Sequence, residues 1–248
     1  VNSNLFQRVL ASPLNLVYPV SCPLCGSDDP SCDEQETHLC SDCRRQLLPE
    51  SESFCRFCGA VVGPYLSDDS RCHHCRNDRF TFSETAALGT YSGELRKAIR
   101  NCQQPGRSDL VRALVSLLWE AQAHRLKDWQ IDLVTCIPQH WRKRLTRSIN
   151  TSAELGARLA QKSDLPFARQ LLSKTRHTPD QAQLTPTERR QNLKEAFRVS
   201  FRSLARGRRI LLVDDVLTTG STVEACARAL KAAEASEIFV AVAGRGLG

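Results

Sequence analysis

The sequence predicts an α/β fold with a central parallel sheet, preceded by a small metal-binding module. Three observations carry this. Residues 208–244 (RRILLVDDVLTTGSTVEACARALKAAEASEIFVAVAG) read as strand, loop, helix and strand. From Glu84 onward, short apolar runs alternate with stretches of helical periodicity, as stacked strand–helix units require. Before that point eight of the 12 cysteines fall into four CxxC pairs. The expected division is a double zinc-knuckle module over 1–79 and an α/β domain over 80–248.

The cysteine pairs come first in the chain. They are Cys22/Cys25, Cys40/Cys43, Cys55/Cys58 and Cys72/Cys75. A two-residue spacer lets two thiolates converge on one ion, and Zn²⁺ takes four such ligands in a tetrahedron. Four pairs make two closed Cys₄ sites, hence two structural zinc ions and no open position for catalysis. Two pairings satisfy the count: sequential, or crossed with the first pair joined to the third. The internal repeat CPLCG…CSDC and CRFCGA…CHHC favours the sequential one. Gly26 and Gly59 follow the first knuckle of each half, where a positive φ would turn backbone N–H groups toward sulfur. Such a module is expected to be mostly non-helical over about residues 18–78, with Cys32, His38, His73 and His74 outside the ligand set.

The α/β region then follows in order. Residues 84–93 predict a short strand and turn, 94–102 a short helix through Leu95 and Ile99, and 107–125 a helix through Leu110, Leu114, Leu117 and Leu118. IDLVTCIP (131–138) predicts a buried strand stopped by Pro138, and residues 152–162 an amphipathic helix. Residues 173–190 are polar and turn-rich, suited to a hood over a site. The apolar run ILLV (210–213) suits a strand covered on both faces, ended by Asp214 and Asp215, with a helix from about Val223 to Ala233.

The turn after that strand has its own chemistry. Gly220 permits a tight bend, and Thr218, Thr219, Ser221 and Thr222 gather hydroxyls and N–H groups at a helix N-terminus. Such a nest suits a phosphate dianion. Two acids beside it would repel that phosphate but can accept hydrogen bonds from vicinal hydroxyls or sit near magnesium. Together the two halves describe a ribose 5-phosphate, with Asp215 as a candidate general base.

ILLVDDVLTTGST resembles the phosphoribosyl pyrophosphate motif of type I phosphoribosyltransferases. Joined to the cysteine array, Tyr91-Ser-Gly, Ile137-Pro138, Arg144, Arg147 with Asn150, and Arg189 with Asn192, it resembles the ComF/GntX family over nearly all of residues 15–245. The resemblance implies a phosphoribosyltransferase-like domain, phosphoribosyl pyrophosphate with magnesium on its diphosphate, and Asp214 and Asp215 as the catalytic acids. It also implies Arg142, Arg144, Arg147 and Arg189 as anion contacts, and a part in natural competence or DNA uptake. Ser148 and Thr151 stand where the family usually has glycine and glutamine, which weakens the diphosphate side more than the ribose-phosphate side.

Charge frames the alternatives. The 248 residues carry 34 Lys+Arg against 27 Asp+Glu, a net +7 that favours anionic partners. Half of the basic residues fall between Pro138 and Arg209. No run approaches 18 apolar residues, so no membrane span is expected, and the patch from Leu10 to Val20 lacks the pattern of a signal peptide; a cytoplasmic chain is expected. One reading is a pentosyltransferase or phosphoribosyl-ligand binder. The alternative is a non-catalytic module that binds single-stranded DNA or a DNA-uptake protein.

Overall fold

Strand pairing begins from the two most apolar runs. In the computed structural model, which describes residues 21–28, 32, 37–48, 53–63, 70–138, 150–174 and 196–247, they form the middle of a four-stranded parallel sheet. In chain order the elements are α1 (Ser41–Leu47), β1 (Ser53–Phe54), β2 (Val61–Val62), β3 (Glu84–Thr90), α2 (Gly93–Cys102), α3 (Ser108–Asp128) and β4 (Leu133–Cys136). They continue with α4 (Thr151–Lys162), β5 (Leu172–Lys174), β6 (Phe197–Val199), α5 (Arg202–Ala205), β7 (Arg209–Leu217), α6 (Ser221–Ala232) and β8 (Glu237–Arg245). The sheet order is β3-β8-β7-β4, with all three pairings parallel.

Both faces of the sheet are buried, which is why its strands read as continuous apolar runs rather than alternating ones. Leu211, Val213, Phe239, Ala241 and Ala243 point to one face, under α2, α3 and α4. Ile210, Leu212, Ile238, Val240 and Val242 point to the other, toward α6 and the β5–β6 pair. The first cysteine knuckles share the former core: Cys22, Leu39, Cys43 and Leu47 pack with Ile99, Leu110 and Leu114. Arg107 donates to the Pro23 carbonyl across that seam.

The second knuckle closes the sheet on its β3 edge. Thr85 N donates to the Arg56 carbonyl at 2.8 Å, Thr85 Oγ1 to the Phe57 carbonyl at 3.0 Å, and Arg56 pairs with Glu84 at 2.5 Å. At the far edge, residues 166–168 add one rung beyond β4 through Val134 N to Pro166 O at 2.9 Å and Ala168 N to Val134 O at 2.8 Å. No helix among the described residues is long and apolar enough to cross a membrane.

The cysteine module holds one short helix among its described residues: α1 grows directly from Cys40, whose sulfur caps it by accepting from Cys43 N at 3.5 Å. Two expectations need correction. Strand β7 does not stop at the two acids but runs to Leu217, because Val216 and Leu217 still pair with Gly244 and Arg245. The helix that follows starts at Ser221, two residues earlier than its apolar stripe suggests, since helical bonding begins with Glu224 N to Gly220 O at 2.8 Å.

Gly59 tests the seam between knuckle and sheet. Its φ is +69°, and a Cβ there would lie 2.9 Å from Thr85 Cγ2 and 3.1 Å from Ala87 Cβ. Gly59→Ala is expected to cost about 1–3 kcal/mol through overpacking and a strained backbone. Chemical denaturation of zinc-loaded protein checks this; an unchanged midpoint would mean that the knuckle does not press on β3.

Candidate functional site

Asp214 and Asp215 occupy adjacent positions at the carboxyl end of β7, where parallel α/β sheets place their ligands. Both are half-buried. Asp214 Oδ1 accepts from Ser152 Oγ at 2.8 Å and from Asp215 N at 3.0 Å. Asp215 Oδ2 accepts from Gln103 Nε2 at 3.0 Å, and its Oδ1 from Val216 N at 2.8 Å. Ser152 stands in the first turn of α4, which Asn150 caps by accepting from Ala153 N at 3.1 Å. Gln103 caps the end of α2.

The electrostatics of the pair follow from that enclosure. Burial pushes the Asp214 carboxyl well above the usual carboxylate range, and the Asp215 charge adds to it; Ser152 and the Asp215 N–H oppose the shift without cancelling it. Asp215 is also raised, by burial first, against the hydrogen bonds from Gln103 and Val216. Two neighbouring carboxyls in this state favour a cation or a pair of hydroxyl donors between them and solvent.

The loop from Thr218 to Thr222 lies directly after the pair. Gly220 takes φ +74°, in the left-handed region that starts α6 without a side-chain cap. Thr218 and Thr219 are exposed, Ser221 and Thr222 half-buried, and Thr219 Oγ1 lies 3.0 Å from Ser221 Oγ. Glu224, in the first turn of α6, is tied to Thr81 N at 2.8 Å, Thr81 Oγ1 at 2.6 Å and Arg228 Nε at 2.8 Å.

The structure therefore brings together Asp214, Asp215, Thr218, Thr219, Gly220, Ser221 and Thr222. Arg142, Arg144, Arg147 and Arg189 lie outside the described residues. Sequence reasoning missed Ser152, Gln103 and Arg245. The Asn150-Thr-Ser start of α4 is a capping pattern that could have pointed to Ser152. Nothing local marks Gln103. Arg245 shows only as a lone charge closing an apolar strand; it is 8% exposed, and its Nη1 donates to the carbonyls of Leu217, at 2.9 Å, and of Thr218 and Gly246.

Two hollows flank this geometry differently. One of about 460 Å³ is lined by Lys97, Arg100, Asn101, Gln103 and Gln104, of which Gln103 also donates to Asp215. A larger cleft of about 830 Å³ lies at the opposite end of the sheet, between the second knuckle and α3. Its arginines are already paired, Arg56 and Arg125 with Glu84 and Arg209 with Glu237, so it is not an anion site.

The cysteines gather as two groups, Cys22, Cys25, Cys40, Cys43 and Cys55, Cys58, Cys72, Cys75, each with all four sulfurs within 4.8 Å of one another. This is the sequential arrangement. Neighbouring sulfurs lie 3.5–3.8 Å apart, close to the edge of about 3.8 Å of a tetrahedron with Zn–S bonds of about 2.3 Å. None of the twelve cysteines is in a disulfide. Burial, then the neighbouring Cys55 charge, pushes the Cys75 thiol up to about 12, while the hydrogen bond from Cys58 brings Cys55 down to about 4. Both clusters thus fit structural zinc, which the thiols would take up by releasing protons.

Fold and sites together define a chain that joins a double zinc ribbon to a phosphoribosyltransferase-like domain. Family models agree: residues 13–76 match the double zinc ribbon domain and residues 145–246 the phosphoribosyl transferase domain. Over most of its length the chain is similar to curated competence and DNA-utilization proteins. It is 28% identical to competence protein F of Haemophilus influenzae over 206 residues, 82% of this chain and 88% of that protein. It is 29% identical to the DNA utilization protein YhgH of Escherichia coli strain K12 over 195 residues, 77% of this chain and 83% of that one. A solved purine phosphoribosyltransferase from Pyrococcus horikoshii superposes with a TM-score of 0.32 at 16% identity, over 64% of this chain and 76% of that one. An overlap at that level supports no statement about function.

Two measurements bear on this site. Elemental analysis of the full chain should give two zinc ions, and fewer than one would refute the ribbon assignment. The raised carboxyl of Asp214 binds its proton more tightly when folded than when unfolded. Its penalty is absent below the unfolded value of about 4 and grows as pH rises through the folded one. Asp214→Asn is therefore expected to stabilise the protein at pH 8 and to change little at pH 4 in urea titrations. A variant destabilised at pH 8 would contradict the assigned direction.

Proposed function

We propose that this chain is a DNA-handling protein that retains a ribose 5-phosphate site, used for binding rather than for rapid transfer. The observation that carries the ligand is the pairing of two half-buried carboxyls at the end of β7 with a hydroxyl-lined helix start three to seven residues on. In this reading Asp214 and Asp215 accept from the ribose 2′ and 3′ hydroxyls. The N–H groups and hydroxyls of residues 218–222 hold the 5′ phosphate, aided by the α6 dipole. Ser152 and Gln103 fix the carboxyl planes, so the acids need no rearrangement on binding.

Phosphoribosyl pyrophosphate is the proposed full ligand. Magnesium, when present, would neutralise its diphosphate and lower the barrier to loss of pyrophosphate from C1. The residues for that half, Arg142, Arg144 and Arg147, belong to the segment after Pro138, and Arg189 to the polar segment proposed as a hood. Asp215, with Gln103 already on one oxygen and its proton affinity raised, is the group placed to take a proton from an acceptor.

The DNA role rests on different support. The relatives covered over 83–88% of their length are named for competence and DNA utilization. Arginine density adds to it: Arg198, Arg202, Arg206 and Arg208 fall in a stretch without an acid, and among the described residues Arg206 alone of them pairs with a carboxylate, that of Glu234. Single-stranded DNA, with its line of phosphates, is the anionic partner proposed for that surface.

Titration calorimetry with phosphoribosyl pyrophosphate and Mg²⁺ tests the ligand. Asp214→Asn with Asp215→Asn should weaken binding about 10- to 100-fold, the loss of one or two charge-assisted hydrogen bonds of about 1.5–3 kcal/mol. These substitutions should leave filter retention of labelled single-stranded DNA unchanged, and that retention should fall steeply between about 50 and 200 mM salt. Pyrophosphate release at about 1 per second or faster with a common base, without salt-sensitive DNA retention, would replace this reading by a plain transferase.

A further inference from the structure

We infer that the second zinc ribbon is the brace of the phosphate loop, with Arg245 as the positioning residue that completes it; this rests on the ribose-phosphate reading of that loop. The loop has little of its own to hold it. Gly220 is left-handed, α6 begins without a side-chain cap, and Thr218 and Thr219 are exposed. What fixes it comes from two directions, and both lead to the same four cysteines.

From above comes the end of β8. Arg245 is buried, and its Nη1 spans three carbonyls: Leu217 and Thr218 at the start of the loop and Gly246 on its own strand. Gly246 N closes the clasp by donating to Leu217 O at 2.8 Å, and a Cβ on Gly246 would lie 3.0 Å from Thr218 Cγ2. A guanidinium placed on these carbonyls pins the chain where it leaves β7, and directs the N–H groups that follow away from the strand. The next apolar residue, Leu247, packs on the Cys55, Cys58, Cys72, Cys75 cluster.

From below comes the segment that leaves the ribbon. Phe80 packs on the same cluster, and its ring lies 3.7 Å from where a Cβ on Gly220 would sit. The Arg71 guanidinium lies over the Phe57 ring at 4.5 Å and the Phe80 ring at 5.6 Å, holding Phe80 to the ribbon. Thr81 then binds Glu224 through both its N–H and its hydroxyl, fixing the first turn of α6. Among the described residues the first cluster packs instead against α2 and α3. The two ribbons therefore do different work. The first completes the core on one face of the sheet, and the second sets the geometry of the anion site.

The test uses the full, zinc-loaded chain and reads hydrogen exchange of the amides 217–224, with those of α3, 110–118, as the internal reference. Arg245→Met should raise exchange of 217–224 about tenfold, leave α3 unchanged and keep two zinc ions. Ribose 5-phosphate affinity by calorimetry should fall about tenfold, and Arg245→Lys should restore most of both. Cys58→Ser should lose one zinc and loosen the same amides, whereas Cys25→Ser should lose one zinc and leave them protected. If Cys58→Ser loosens α3 as well, Phe80→Ala takes its place, with the same expected pattern. Wild-type exchange at 217–224 in Arg245→Met, or equal loosening by Cys25→Ser, would overturn the inference. A wild-type chain that binds no ribose 5-phosphate, yet shows the exchange pattern, would leave the brace standing and remove the ligand reading alone.

Discussion

Four sulfurs held within 4.8 Å of one another cannot all ionise without a cation between them, and this constraint organises the amino-terminal third of the chain. The region has few large apolar residues, so its knuckles depend on coordination where other domains depend on a core. Each cluster is buried, apart from the exposed Cys25, yet each faces a different neighbour. The first is continuous with the helical layer over the sheet; the second sits between a strand edge and the loop at the end of β7. Order supplied by thiolate chemistry is thereby handed to elements far away in sequence.

At the end of β7 the constraint is reversed. Asp214 and Asp215 are like charges side by side, half-buried beside the end of α2 and the start of α4, and the fold stabilises neither carboxylate fully. Sites of this kind hold a ground state that is poorer than it could be, and recover the difference when a ligand arrives. The surrounding hydrogen bonds from Ser152 and Gln103 orient the acids without neutralising them.

Much of this was legible in the residues, and the reason is spacing. CxxC pairs and DDVLTTGST are local patterns whose chemistry needs neighbours in sequence, so a linear reading recovers them. The parallel sheet was legible from ILLV (210–213) and the strand–helix alternation. What escaped was non-local. Gln103 reaches Asp215 across 112 residues, Ser152 reaches Asp214 across 62, and Arg245 reaches Leu217 across 28. The β5–β6 pair escaped for a like reason: each strand has three residues, too short for alternation to show. Helix α1 was hidden because its cap is a cysteine already assigned to metal.

The covering of β3 has a consequence for the chain's life in a crowded cell. A parallel strand with an open flank is a template for another strand, and natural proteins blunt such flanks with charge, bulges or a covering segment. Here the cover is the Arg56–Phe57 backbone of a ribbon whose shape depends on its ion. Were the ribbon to come away, the Thr85 N–H would lose the Arg56 carbonyl that now accepts from it. Protection of this edge therefore follows the fold of the ribbon that covers it.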